Sequence, residues 1–129
     1  MNTNRSERKE VQRNLDAGRE RCPMSVTLDV TGGKWKQSIL FRLLDGTQRF
    51  GELQRALPGQ ITQQMLTLQL RELERDGLVH REVYRQVPPK TEYSLTSLGR
   101  SLEPVLHAMR AWGEAYLSER GSGVGTAHE

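Results

Sequence analysis

The sequence predicts a mainly α-helical domain with one small β-ribbon, an α+β arrangement. Apolar residues recur three and four apart through most of the chain, and the period falls to two only between Val79 and Leu95. Glycine or a Pro-Gly pair stands at the end of each short helical stretch. The 129 residues fit one domain spanning 1–129, and 35% hydrophobic residues allow a modest core.

From Asn4 to Gly18 the chain is dense in Arg, Lys, Glu and Gln, with Val11 and Leu15 four apart. This reads as a polar helix over about residues 1–20 that needs a partner surface. Pro23 suits the first position of a short helix to Val30, closed by Thr31-Gly32-Gly33. A second helix starts near Lys34, buries Trp35, Ile39, Leu40, Leu43 and Leu44, and stops at Asp45-Gly46. A third, Phe50 to Leu57, precedes Pro58-Gly59. Thr62 is the expected N-cap of a fourth, which runs to Asp76 before Gly77. At about 100° per residue, its Leu66, Leu70 and Leu73 share one side, while Gln64, Leu68, Arg71 and Arg75 face the other and Thr67 sits at the edge. Val79 and Val83, then Tyr93 and Leu95, alternate with polar residues as two strands, joined by a proline-stiffened turn from Arg85 to Lys90. A long helix follows from Thr96 to about Arg120, with Pro104 expected to kink it. Residues 121–129 read as a flexible tail.

Charge and composition narrow the class. Lys and Arg outnumber Asp and Glu 19 to 16, which permits a polyanionic partner without proving one. No apolar run approaches the ~20 residues of a membrane helix, and the polar start lacks the apolar segment of a secretory signal. A lone cysteine, Cys22, excludes an internal disulfide framework and suits a reducing compartment. The expectation is a soluble cytoplasmic protein with no membrane partner.

Three helices followed by a two-stranded ribbon describe a winged helix-turn-helix, and the division of its surfaces points to double-stranded DNA. A helix packed through Leu66, Leu70 and Leu73 can lay its other side in a major groove about 12 Å wide. That side offers Thr62, Gln63, Gln64 and Thr67, with Leu68 beside them, as base-reading candidates. Gln can bond adenine bidentately, and a Thr methyl can meet a thymine methyl. Arg71 is better placed for a phosphate, Arg49 brings a cation to the start of the preceding helix, and Arg85 and Lys90 on the wing could reach a minor groove or backbone. A winged domain that binds only proteins is the bland alternative.

Cys22-Pro23-Met24, Asp29-Val30-Thr31-Gly32-Gly33-Lys34-Trp35, Arg49-Phe50-Gly51-Glu52-Leu53, Ile61-Thr62-Gln63-Gln64-Met65-Leu66 and Val87-Pro88-Pro89-Lys90-Thr91-Glu92-Tyr93-Ser94-Leu95-Thr96, in this order, resemble the HxlR family of bacterial transcriptional regulators. The resemblance covers roughly Arg21 to Trp112. It implies a homodimeric winged-helix protein, related in architecture to MarR regulators, in which the Thr62–Asp76 helix reads DNA, the ribbon is the wing and terminal helices make the dimer. Leu68 departs from the polar residue usual at its position. Several similar proteins sense electrophiles or oxidants through a cysteine at the matching Cys-Pro, which makes Cys22 a candidate sensor.

The residues give that candidate physical grounds. Helix-start amides stabilise a thiolate, and Arg19 and Arg21 would act in the same direction. The alternative is that Cys22 is a small buried hydrophobe beneath a dimer interface. Leu102, Val105, Met109, Trp112 and Tyr116 form a seam that, with Val11 and Leu15, a symmetric homodimer would bury. Such a dimer holds two reading helices roughly 34–36 Å, or a multiple of that, apart and predicts an inverted-repeat operator. The bland alternative folds the last helix back on its own domain.

An enzyme would need converging groups, and none are legible. His80, His107 and His128 fall on different elements, and no phosphate loop or nucleophile elbow occurs. No catalytic residue, metal or cofactor is implied. A remaining rival is a regulator controlled by a non-covalent small-molecule inducer in a cleft between the domain and the dimer helices, lined by Trp35, Met109, Trp112 and Tyr116.

Overall fold

Residues 22–122 are described by the computed structural model. They form six helices and a small sheet: α1 (Pro23–Thr31), α2 (Lys36–Leu43), β1 (Gln48–Arg49), α3 (Phe50–Ala56), α4 (Gln63–Arg75), β2 (Val79–Tyr84), β3 (Lys90–Leu95), α5 (Ser97–Arg100) and α6 (Glu103–Ser122). The expected N-terminal helix, with Val11 and Leu15, lies outside the described residues.

Local chemistry sets most of the boundaries. Pro23 opens α1, where its missing N–H costs nothing. The Thr62 hydroxyl accepts the Met65 N–H at 3.0 Å and starts α4. Gly77, at φ +80, turns the chain out of α4 into β2, a conformation that side-chain-bearing residues adopt at a cost. Helix α2 begins two residues later than expected, because Lys34 and Trp35 complete a turn after Gly33, at φ +88.

Four expectations need correction. The ribbon is not two-stranded: β1 adds a third strand in the order β1-β3-β2, all antiparallel, pairing Gln48 with Tyr93 and Arg49 with Glu92. Its apolar face also ends early. Val79 is buried, whereas Val83 is 48% exposed, because the distal half of the ribbon has no layer beneath it. The long C-terminal helix is not continuous from Thr96. The Thr96 hydroxyl caps the short α5, the chain turns at Ser101-Leu102, and α6 begins at Glu103. Pro104 therefore occupies the first turn of a new helix, where no N–H partner is lost, rather than kinking an old one. At the other end, Gly121 and Ser122 continue α6 instead of starting a flexible tail.

The core lies between the helices and the base of the sheet. Ile39, Leu40 and Leu43 of α2 meet Leu53 of α3 and Leu66, Leu70 and Leu73 of α4, all fully buried. Thr96 fastens the far side: its N–H bonds the Leu78 carbonyl and its hydroxyl donates to the Gly77 carbonyl at 2.6 Å. A Cβ on Gly99 would strike the Leu78 carbonyl, so α5 can seat on the start of β2 only with glycine there. Within this core Lys36 Nζ meets Glu72 Oε1 at 2.5 Å, both side chains almost wholly buried, tying α2 to α4.

Candidate nucleic-acid interface

Helices α3 and α4, joined by the turn 57–62, form the helix-turn-helix, and β2 and β3 project beside α4 as the wing. The inner face of α4 is anchored by its leucines and by Gln69, whose amide donates to the Met65 sulfur at 3.4 Å. The outer face is free for a ligand: Thr62, Gln63, Gln64 and Arg71 are exposed, and Thr67 is half-buried beside them. Leu68, expected among the groove-facing residues, is also half-buried, so part of its surface faces outward. Thr62, Gln63 and Gln64 sit at the first turn of α4, where unpaired amides give the helix end a partial positive charge, while Arg71 lies two turns further on.

Arg49 stands where the sequence suggested, as the exposed N-cap of α3, and its N–H donates to Glu52 Oε1 at 2.8 Å. Arg85 is exposed at the wing tip. Lys90 differs from expectation. It lies at the start of β3, with its ammonium 3.6 Å from Glu92 and 4.5 Å from the centre of the Tyr84 ring. Its charge is thus partly engaged within the wing, and Arg85 is left as the freer cation at that end.

The fold adds two residues that the sequence reading missed. Thr67, Arg71 and Glu74 of α4 face Arg81 of β2 and Tyr93 of β3 across a small concavity of about 160 Å³. Arg81 and Glu74 pair at 3.5 Å. The signal for Arg81 was available: it alternates with His80 and Glu82 on the strand, and the strand's start beside α4 was legible. The signal for Tyr93 was read only as burial.

Cys22 is exposed and sits at the N-cap of α1. The nearby Ser25 and Met24 amides, then the Ser25 hydroxyl, favour the thiolate and hold the thiol below the usual cysteine range, against an opposing effect of burial. Arg19 and Arg21 lie outside the described residues.

The C-terminal seam divides. Leu102 turns toward its own core, and among the described side chains of α6 only Leu106 is buried. Val105, Met109, Trp112 and Tyr116 stay exposed, with Trp112 at 69% and its ring stacked on Tyr116 at 5.2 Å. Leu117 extends this strip. The last helix therefore folds back on its domain only through its first turns.

Within one chain the residues named for a ligand cleft do not share one hollow. Met109 borders a hollow of about 440 Å³ among α2, the end of α3 and α6, with Phe41, Leu57, Leu106, Arg42 and Arg110. Trp35 instead borders a separate hollow beside α1, and Trp112 with Tyr116 lies on open surface. Among the described residues no group of His, Cys, Asp or Glu could hold a metal, and no helix is long and apolar enough to cross a membrane.

Comparison with known proteins agrees with this architecture. The family model described as HxlR-like helix-turn-helix matches residues 30–121. The uncharacterized HTH-type transcriptional regulator YdeP of Bacillus subtilis (strain 168) is 63% identical over 97 residues, 75% of each chain. Solved structures of the redox regulator HypR are similar in both states. The oxidized form gives a TM-score of 0.68 at 62% identity, over 73% of this chain and 96% of that one. The reduced form gives 0.73 at 57% identity, over 78% and 99%.

Proposed function

The chain belongs to the HxlR-like helix-turn-helix family, whose members are DNA-binding transcriptional regulators and not enzymes, and from that premise we propose a homodimer that reads an inverted-repeat operator and responds to electrophiles or oxidants through Cys22. One observation carries the DNA reading. The outer face of α4 presents Thr62, Gln63, Gln64, Thr67 and Arg71 while its inner face is locked by fully buried leucines, so the reading groups are held at a fixed height above the domain. Gln63 and Gln64 are suited to adenine edges, the Thr67 and Leu68 methyls to thymine, and Arg49 and Arg85 to flanking phosphates or a minor groove.

The exposed strip from Val105 to Leu117 supports the dimer. A second copy covers it symmetrically and fixes the distance between two α4 helices. Support for Cys22 comes from its exposure, its helix-start amides and the two redox states of the similar HypR structures. The chemistry has two balanced forms. The thiolate adds to the electrophilic carbon of a conjugated acceptor such as a quinone, the π pair moves onto the carbonyl oxygen, and the resulting enolate takes up a proton. Alternatively, two Cys22 thiols of a dimer form one disulfide, giving two protons and two electrons to an oxidant such as diamide, which becomes the hydrazine.

A second reading rests on the hollow beside Met109. Its apolar walls of Phe41, Leu57 and Leu106 and its cations Arg42 and Arg110 suit a small apolar anion as inducer, and Arg42→Ala would abolish that response while leaving Cys22 reactive.

Fluorescence anisotropy on duplexes from upstream of the protein's own and adjacent genes tests the reading, reduced and after diamide or quinone. Sequence-preferring binding that changes on treatment, and fails to change in Cys22→Ser, is the expected result. Binding insensitive to treatment moves the signal to the hollow. No preference over random DNA overturns the operator reading in favour of a protein-binding winged helix.

A further inference from the structure

The concavity between α4 and the wing brings together groups that are far apart in sequence: Thr67, Arg71 and Glu74 from the helix, Arg81 from β2 and Tyr93 from β3. We propose that it is a seat for one phosphodiester of the bound DNA, gripped by Arg71 and Arg81 and finished by the Thr67 and Tyr93 hydroxyls. The proposal rests on the DNA reading above and deepens it. It adds Arg81 and Tyr93 to the interface and gives the Thr67 hydroxyl a backbone phosphate as its partner.

Charge is the first support. Two guanidiniums and the single carboxylate of Glu74 leave a formal excess of one positive charge, which one phosphodiester neutralises. Orientation is the second. Glu74 Oε1 meets Arg81 at its Nε, 3.5 Å away, which steadies the guanidinium from that edge, and the fork has further N–H donors for a phosphate. Tyr93 is buried and its ring lies 6.4 Å from that of Phe50, so its position is set by the core rather than by solvent. Burial raises its phenol above the usual tyrosine range, with Glu74 adding to this and Arg81 and Arg71 opposing it, so it remains an O–H donor at neutral pH. Location is the third. With α4 in a major groove and the wing reaching outward, the sugar-phosphate strand bordering that groove passes between them, where this concavity opens.

The full-length protein is titrated with operator and random duplexes by anisotropy across a salt series. Arg81→Gln is expected to weaken both duplexes alike, about tenfold as for one charge-assisted hydrogen bond, and to make the log–log salt slope shallower by about 0.9. Arg81→Lys should keep the slope, which separates lost charge from a damaged ribbon. Tyr93→Phe should weaken both duplexes a few-fold, about one neutral hydrogen bond, with the slope unchanged. An unchanged slope in Arg81→Gln, or a loss confined to the operator, overturns the seat while leaving DNA binding intact. Wild-type protein that binds neither duplex overturns both. Inorganic phosphate is tested against chloride at matched ionic strength without DNA. Phosphate binding that Arg81→Gln abolishes, with the DNA slope unmoved, identifies a free oxyanion as the occupant and also overturns the phosphodiester.

Discussion

In α4, Leu66, Leu70 and Leu73 recur at helical spacing and are fully buried; in α6, Val105, Met109, Trp112 and Tyr116 recur at the same spacing and stay exposed. The two helices carry one pattern with opposite outcomes. Helix α4 is covered because α2, α3 and the sheet base converge on it from both ends of the sequence. Helix α6 keeps its domain contacts only as far as His107, Met109 and Arg110, which still meet α2 or border the hollow beside it, while Trp112 and Tyr116 lie on open surface. An apolar stripe thus marks a face that must be covered, and only the surrounding fold shows whether its own chain covers it.

The contrast can be broken at its strongest point first. Glu72→Ala strands the buried Lys36 charge under α4 and should cost about 3–5 kcal/mol, whereas Lys36→Met with Glu72→Leu should return close to wild type; urea unfolding midpoints measure both. A double variant as unstable as the single one would show that α4 is not held through this pair.

Leu70→Ala opens a cavity in a fully buried site and should cost about 2–5 kcal/mol of unfolding free energy. Trp112→Ala should cost the monomer within about 0.5 kcal/mol, yet weaken dimerisation about 30-fold or more by sedimentation. Equal losses of monomer stability in the two variants would erase the distinction between α4 and α6.

A smaller effect sharpens the account of α4. Thr62→Ala removes the acceptor of the Met65 N–H and should cost about 1 kcal/mol, with a loss of operator binding as the reading end frays. Hydrogen exchange at the first turn of α4 would report it directly.

The smallest expected effect lies on α1. The thiolate is the reacting species and the Ser25 and Met24 amides favour it, so the Cys22 alkylation rate should rise with pH about a midpoint below that of the unfolded chain. A midpoint at or above the unfolded value would remove the case for an activated thiol.

The elements most legible in the sequence are those whose causes lie within a turn of one another. Thr62 capping α4, Gly77 ending it and the leucines three and four apart are all near neighbours, and each stands where the local chemistry suggested. What was missed depends on distant partners. Two residues, Gln48 and Arg49, carry no strand signal until β3 lies beside them. The break at Ser101-Leu102 follows from α5 seating on Leu78, which needs Gly99 and the Thr96 cap together. Lys90 looked like a free cation because its companions, Tyr84 and Glu92, meet it only across the ribbon and along the strand.

The candidate site divides in the same way. Gln64 and Arg71 could be named from helix phase, which fixes the residues that share a face, and Gln63 and Arg49 from their places at helix starts. The concavity that joins Arg71 to Arg81 and Tyr93 could not, because three elements must fold before those side chains meet. Sequence by itself therefore determined the kinds of element, their turns and the outward face of α4, through caps and periodicities that act over a few residues. Only the tertiary structure decided which apolar faces are covered, which cations are already paired and which polar groups converge, because burial and pairing depend on what the rest of the chain brings alongside.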